Sequence, residues 1–299
     1  MGRGYCKVHQ MIMLTQPRSG STWLYRMLMA ANPCVFGVGE GGRHHNVALN
    51  HYGGLPMNPA LRRGPPMDAQ EVQSLIEKAS FDVLERKGFS QINNDCGGAT
   101  LSILKTFCPR GISTHSVNMT AQLGATLNGL GETGYSVLLL LRRNSFDQFV
   151  SKTRGYTHCS TAECGAQVAK QKVKLNLRDL KRFVDEREGA QRDCLANVTQ
   201  FTARHHVVYY EDLERMMEVE IQASLLEFAT NGELRVAIPE PNNTRLVRVL
   251  ENRAKQATTK TSDPSRFNET IENWDAVVDA MNSWGARYSA MIPGRSEAQ

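Results

Sequence analysis

Short blocks of consecutive apolar residues alternate along the chain with longer stretches in which apolar positions recur every three or four residues. The first pattern marks strands buried on both faces, the second helices with one apolar stripe. Residues 11–14, 35–38, 101–107, 136–141 and 205–210 predict strands, and 136–141 is apolar enough to be a central one. Trp23, Leu24, Met27, Leu28 and Ala31 recur at helical spacing, and Asn32-Pro33 stops that helix. Further helices are predicted over 68–87, where Asp68 and Glu71 form a capping box, over 118–130 and over 144–152. A long helix over 165–188 carries Val173, Leu177, Leu180 and Val184 on one face, with its lysines solvated. Another runs from Glu211 to about Thr230, and a last one carries Trp274 and Trp284. Strands alternating with helices predict an α/β fold, three-layered around a central parallel sheet, in a single domain over 1–299.

Composition narrows the picture. The chain has 299 residues, with 35 Lys+Arg against 30 Asp+Glu, a formal charge of +5, and 41% hydrophobic residues. That balance excludes a disordered, coiled-coil or collagen-like chain. The small positive excess suits an anionic ligand and is too dispersed for nucleic acid. No apolar run approaches the roughly 18 residues of a membrane helix, so no membrane partner is expected. The first ten residues lack an apolar leader core, and Cys6 stands where a myristoylation motif wants Ser or Thr. The seven cysteines are therefore expected to be reduced thiols and the protein cytoplasmic. The Asn-X-Thr sequons at Asn118, Asn197, Asn242 and Asn268 are expected to be unused. Cys159 and Cys164 have no second pair at metal-ligand spacing, so no metal is expected. The sequence carries no signal of oligomeric state.

Candidate chemistry sits in the first strand–helix junction, Pro17-Arg18-Ser19-Gly20-Ser21-Thr22. Small residues there let backbone N–H groups converge on an anion at a helix N-terminus. Arg18 offers a planar fork of donors, and Thr22 a hydroxyl. The lysine of the nucleotide-triphosphatase loop is absent. The strand over 136–141 ends in Arg142-Arg143-Asn144, where a triphosphatase usually places a magnesium-holding acid. Arginines in that place call for an anion.

With these motifs the chain resembles the sulfotransferases that use 3′-phosphoadenosine 5′-phosphosulfate (PAPS), closer to the carbohydrate-type and bacterial members than to the cytosolic aryl ones. The resemblance makes the first junction a P-loop-like 5′-phosphosulfate loop, formed by Arg18, Ser19, Gly20, Ser21 and Thr22. It makes the stretch after the 136–141 strand a 3′-phosphate motif, represented by Arg143 and, eight residues on, Ser151. The run Tyr210-Glu211-Asp212-Leu213 resembles a segment whose tyrosine lies near the adenine, which implicates Tyr210. Lys105-Thr106-Phe107-Cys108-Pro109 is similar to a segment that contains the catalytic histidine in cytosolic members, with Phe107 in the histidine's place.

The resemblance then implies that Glu40, in a Gly-Glu-Gly turn after the second strand, is the general base, with His44 or His45 as the alternative. Residues 41–67 become an acceptor-side loop, and 252–268, with Lys255, Lys260 and Arg266, a candidate lid. The expected reaction moves a sulfuryl group from PAPS to a hydroxyl or amine of a small-molecule or carbohydrate acceptor, releasing adenosine 3′,5′-bisphosphate. Arg18 and Lys105 would stabilise the developing charge without a metal. The alternatives are a P-loop kinase or hydrolase, and a non-catalytic nucleotide-binding member of the same fold.

Overall fold

The computed structural model describes residues 7–16, 18–37, 99–107, 135–154, 162–202, 204–237 and 264–293. The predicted helices over 68–87 and 118–130 lie outside the described residues, as does the loop over 41–67.

Five parallel strands form the centre: β1 (Lys7–Thr15), β2 (Val35–Gly37), β3 (Ala99–Phe107), β4 (Ser136–Leu141) and β5 (His205–Tyr209), in the order β2-β3-β1-β4-β5. β4 is buried at every position, as its apolar run from Val137 to Leu141 requires of a strand covered on both faces. β1 extends beyond the predicted apolar run, because pairing with β3 holds it from Lys7, opposite Ala99, to Thr15, opposite Phe107. β1 also pairs with β4, and β4 with β5.

Successive side chains of a strand point to opposite faces, so the sheet generates two separate cores. Met11 and Met13 of β1, Leu101 and Ile103 of β3, and Leu138 and Leu140 of β4 pack on α1 (Ser21–Ala31) and on the helix Glu218–Thr230. Ile12, Leu14, Val137, Leu139 and Leu141 face the other way, against Cys194 and Val198 of the helix Leu177–Phe201. Helices thus cover both faces of the sheet.

In chain order, α1 is followed by α2 (Ser145–Thr153), α3 (Ala162–Lys170), α4 (Leu177–Phe201), α5 (Tyr210–Leu213) and α6 (Glu218–Thr230). The C-terminal segment adds α7 (Phe267–Thr270), α8 (Trp274–Ser283) and α9 (Ala286–Ser289). α2 begins where Asn144 caps it, its side chain accepting from the Asp147 N–H at 3.0 Å. A third core, built from Phe146, Phe149, Leu180, Phe183, Phe267, Val277 and Met281, fastens the C-terminal helices to α2 and α4. No helix among the described residues is long and apolar enough to cross a membrane.

Three expectations need correction. The helix predicted over 165–188 is two helices, because Val173 leaves the helical path to bridge Ile271 in parallel. The Val173 N–H donates to Thr270 O and its carbonyl accepts from Glu272 N, both at 2.9 Å. The helix predicted from Glu211 to Thr230 is likewise broken between Leu213 and Glu218. Finally, Cys34, Cys164 and Cys194 are disulfide-bonded, where reduced thiols were expected.

Candidate functional site

The junction after β1 is built by its own small side chains. The Ser19 N–H and hydroxyl both donate to Gln16 O, at 3.2 and 2.7 Å, and the Thr15 hydroxyl contacts that of Ser19. Ser19 is fully buried, so its hydroxyl serves the turn rather than a ligand. Arg18 (φ 66°) and Gly20 (φ 81°) both adopt left-handed backbone. Gly20 occupies the N-cap of α1 without a side-chain hydrogen bond, and no acid lies in the helix's first turn. The N-cap thus offers no side chain to the first N–H groups of this 11-residue helix, and no acid of the helix's own first turn offsets the partial positive charge there. A Cβ at Gly20 would lie 2.3 Å from the Tyr210 ring, so only glycine lets the turn approach that ring.

The turn draws together residues that are far apart in sequence. Arg18 lays its guanidinium on Ser151, in the second turn of α2. Its Nε donates to Ser151 Oγ at 3.1 Å, and its Nη2 to the same hydroxyl at 2.8 Å and to Ser151 O at 3.2 Å. On the other side of the turn, Lys105 of β3 donates to Thr22 Oγ1 at 2.9 Å and sits 5.9 Å from the centre of the Tyr25 ring. All of this lies at the carboxyl ends of parallel strands, and β1, the central strand, lies where connections to either side of the sheet diverge. That is where open α/β sheets hold ligands. Two cations, two hydroxyls and a helix N-terminus converge there, an arrangement suited to an oxyanion. Among the described residues, the buried Gln16 and Gln148 side chains find no hydrogen-bond partner for their four amide atoms, at the end of β1 and one turn before Ser151.

Arg142 and Arg143 part company. Arg142 is buried, its Nη1 donates to Arg18 O at 3.0 Å, and it forms an ion pair with the buried Asp147. Its guanidinium lies 4.6 Å from the centre of the Tyr210 ring. Arg143 is half-exposed and pairs through both nitrogens with Asp212, at 2.5 and 2.7 Å, over the Tyr209 ring. Those hydrogen bonds raise the Arg143 pKa and lower that of Asp212. The two Glu211 oxygens accept from the backbone N–H groups of Arg143 and Asn144, each at 3.0 Å.

The structure therefore joins Arg18 to Ser151 and Lys105 to Thr22, and pairs Arg143 with Asp212. Tyr210 is buried between Gly20, Trp23 and Arg142, and burial is the chief reason its hydroxyl pKa is raised. Ser21 is buried at the start of α1. Glu40, His44, His45, Lys255 and Lys260 lie outside the described residues. Arg266 pairs with Glu269 at 2.8 Å. Sequence reasoning took Arg142, with Arg143, to call for an anion, whereas it is buried and paired with Asp147; it gave Asp147, Glu211 and Asp212 no part in framing the site. Their signal was present in the acids that follow β5 and in the acid three residues after the helix-capping Asn144. No protein-family model matches the chain, and no curated protein sequence matches it.

Proposed function

We propose that the chain is a sulfotransferase that moves a sulfuryl group from PAPS to a hydroxyl or amine of a small-molecule or carbohydrate acceptor, releasing adenosine 3′,5′-bisphosphate. The observation that carries this reading is the contact of Arg18 with Ser151, three hydrogen bonds between the two stretches that would hold the two ends of one nucleotide. In this reading the turn after β1 is a P-loop-like phosphosulfate loop. The N-terminal N–H groups of α1, Arg18 and Lys105 face the 5′ group, and Thr22 helps to seat it. Ser151 and Arg143 hold the 3′-phosphate, and Tyr210 supports the loop from below, on the side where the adenine lies.

PAPS supplies the sulfuryl group when bound. The S–O bond to the leaving phosphate breaks as the acceptor's oxygen or nitrogen bonds to sulfur. Arg18 and Lys105 stabilise charge on the non-bridging and leaving oxygens, a task commonly worth about 2.7–4 kcal/mol per donor. Glu40 takes the acceptor's proton, with His45 as the alternative base.

The test is calorimetry with adenosine 3′,5′-bisphosphate in the presence of chelator, followed by mass spectrometry of products from PAPS and an acceptor panel. Binding unaffected by chelator, together with a sulfated product, is the expected result. A preference for ATP with a strict magnesium requirement would replace this reading with a kinase or hydrolase. Binding without turnover across the panel would favour a non-catalytic nucleotide-binding protein.

A further inference from the structure

Cys34, Cys164 and Cys194 are each disulfide-bonded. Three cysteines contain at most one pair among themselves, so they belong to at least two disulfides of a chain with seven cysteines. They are also spread through the architecture. Cys34 is buried between α1 and β2 in the core on one face of the sheet, and Cys194 is buried on α4 in the core on the other. Cys164 lies on α3. Glutathione and thioredoxin keep thiols reduced in the cytosol, so several disulfides distributed over separate layers point to oxidative folding.

The lumen in which such disulfides form is also where Asn-X-Thr sequons are read. Two of the four sequons lie among the described residues, and the fold treats them oppositely. Asn268 is exposed on α7 beside exposed Glu269 and Ser265. The rest of that short helix is anchored: Phe267 and Thr270 are buried, and Arg154 Nη2 donates to Thr270 Oγ1 at 2.6 Å. A branched sugar on Asn268 would extend into solvent without moving the core. Asn197 is buried on α4, and its amide nitrogen donates to Asp193 O at 2.7 Å. A folded chain has no room for a sugar there.

We propose that the chain matures in an oxidising secretory lumen and carries an N-linked oligosaccharide on Asn268. The cytoplasmic expectation rested on the lack of an apolar leader core in the first ten residues, and the reduced thiols inferred from it are contradicted by the disulfides. This proposal stands independently of the sulfuryl-transfer reading. Each disulfide forms by exchange with a disulfide oxidoreductase. Two thiols lose two protons and two electrons, one S–S bond forms, and the oxidoreductase's own disulfide is reduced to two thiols. The oligosaccharide comes from a polyprenyl-diphosphate donor. The Asn268 amide nitrogen bonds to the anomeric carbon as the bond from that carbon to phosphate oxygen breaks, the lipid diphosphate leaves, and one amide proton is lost.

The experiment secretes the full chain from a eukaryotic cell line behind a cleavable leader and maps the folded protein by mass spectrometry. Cys34, Cys164 and Cys194 should resist alkylation until a reductant is added. Peptide N-glycosidase should convert Asn268, and not Asn197, to aspartate. Asn268→Gln should remove one oligosaccharide while leaving the disulfide map unchanged, and Asn197→Gln should remove none. Alkylation of the three cysteines before reduction, or an unmodified Asn268 in disulfide-bonded protein, would overturn the proposal. A chain that stays unfolded in the lumen yet folds with free thiols in the cytosol would overturn it as well.

Discussion

Arg142 Nη1 donates at 3.0 Å to the main-chain oxygen of Arg18, the residue whose left-handed backbone (φ 66°) turns its side chain toward Ser151. The geometry of Arg18 thus depends on a second arginine that is itself buried and ion-paired with Asp147. Removing one partner of a buried pair strands the other charge, at a cost of about 3–5 kcal/mol. Arg142→Gln and Asp147→Asn should each lower the free energy of unfolding by that much, read from a lower urea midpoint with little change in slope. The double variant should cost clearly less than the sum of the singles. Additive losses in that cycle would show that the two side chains act separately.

Gly20 carries two constraints that can be measured apart. Its φ of 81° penalises any residue with a Cβ by about 1–2 kcal/mol, and that Cβ would also collide with the Tyr210 ring. Gly20→Ala should therefore cost more than the backbone penalty alone in the wild-type chain. In a Tyr210→Ala background it should cost only about 1–2 kcal/mol. Equal costs in both backgrounds, measured by thermal or chemical denaturation, would remove the ring from the explanation.

With Arg143 in the proposed 3′-phosphate site, Asp212 is the carboxylate that a ligand phosphate must displace. The two side chains are half-exposed, and exposed ion pairs contribute little to stability, so a ligand phosphate can displace the carboxylate. Asp212→Asn should strengthen binding of adenosine 3′,5′-bisphosphate several-fold and leave adenosine 5′-phosphosulfate, which lacks the 3′ group, unchanged. Arg143→Ala should weaken only the bisphosphate. Calorimetry showing parallel changes for both ligands would take Arg143 out of the 3′-phosphate site.

His206 on β5 has its pKa lowered below 6.5, first by burial and then by neighbouring His205, and its ring lies 5.2 Å from that of Phe228. The unfolded chain binds this proton more tightly than the folded one. Stability is thus whole above pH 6.5 and declines as the pH falls from there through the lower folded pKa. His206→Gln should flatten that part of the stability profile relative to wild type. An unchanged difference between pH 7.5 and about 5.5 would assign the slope to other groups.

Glu40→Gln should leave nucleotide affinity unchanged while turnover falls by roughly 10²–10⁴-fold, the usual contribution of a positioned base. His45→Asn should cost far less. The reverse order of effects on turnover would move the base to the histidine pair.

The elements whose boundaries depend on their own residues were legible without coordinates. The almost uniformly apolar 136–141 run became β4, the spaced apolar residues up to Ala31 became α1, and Asn144 capped α2, because burial period and capping are local properties. The strand–turn–helix rhythm at the ends of β1 and β4 was equally readable, and it placed both turns at the carboxyl edge of the sheet. Tertiary structure decided what periodicity cannot encode. Val173 fits a helical stripe perfectly well, yet it leaves the helix because a backbone partner, Ile271, arrives from far along the chain. Arg142 and Arg143 are chemically identical neighbours, and only their surroundings separate them. One lies beneath the turn against Tyr210 and Asp147, while the other projects outward to Asp212. The same holds for Arg18 and Ser151, whose contact requires β1 and β4 to lie side by side. Strand order is set by the free energy of the whole sheet, with both of its faces covered, and no stretch of sequence carries that information alone.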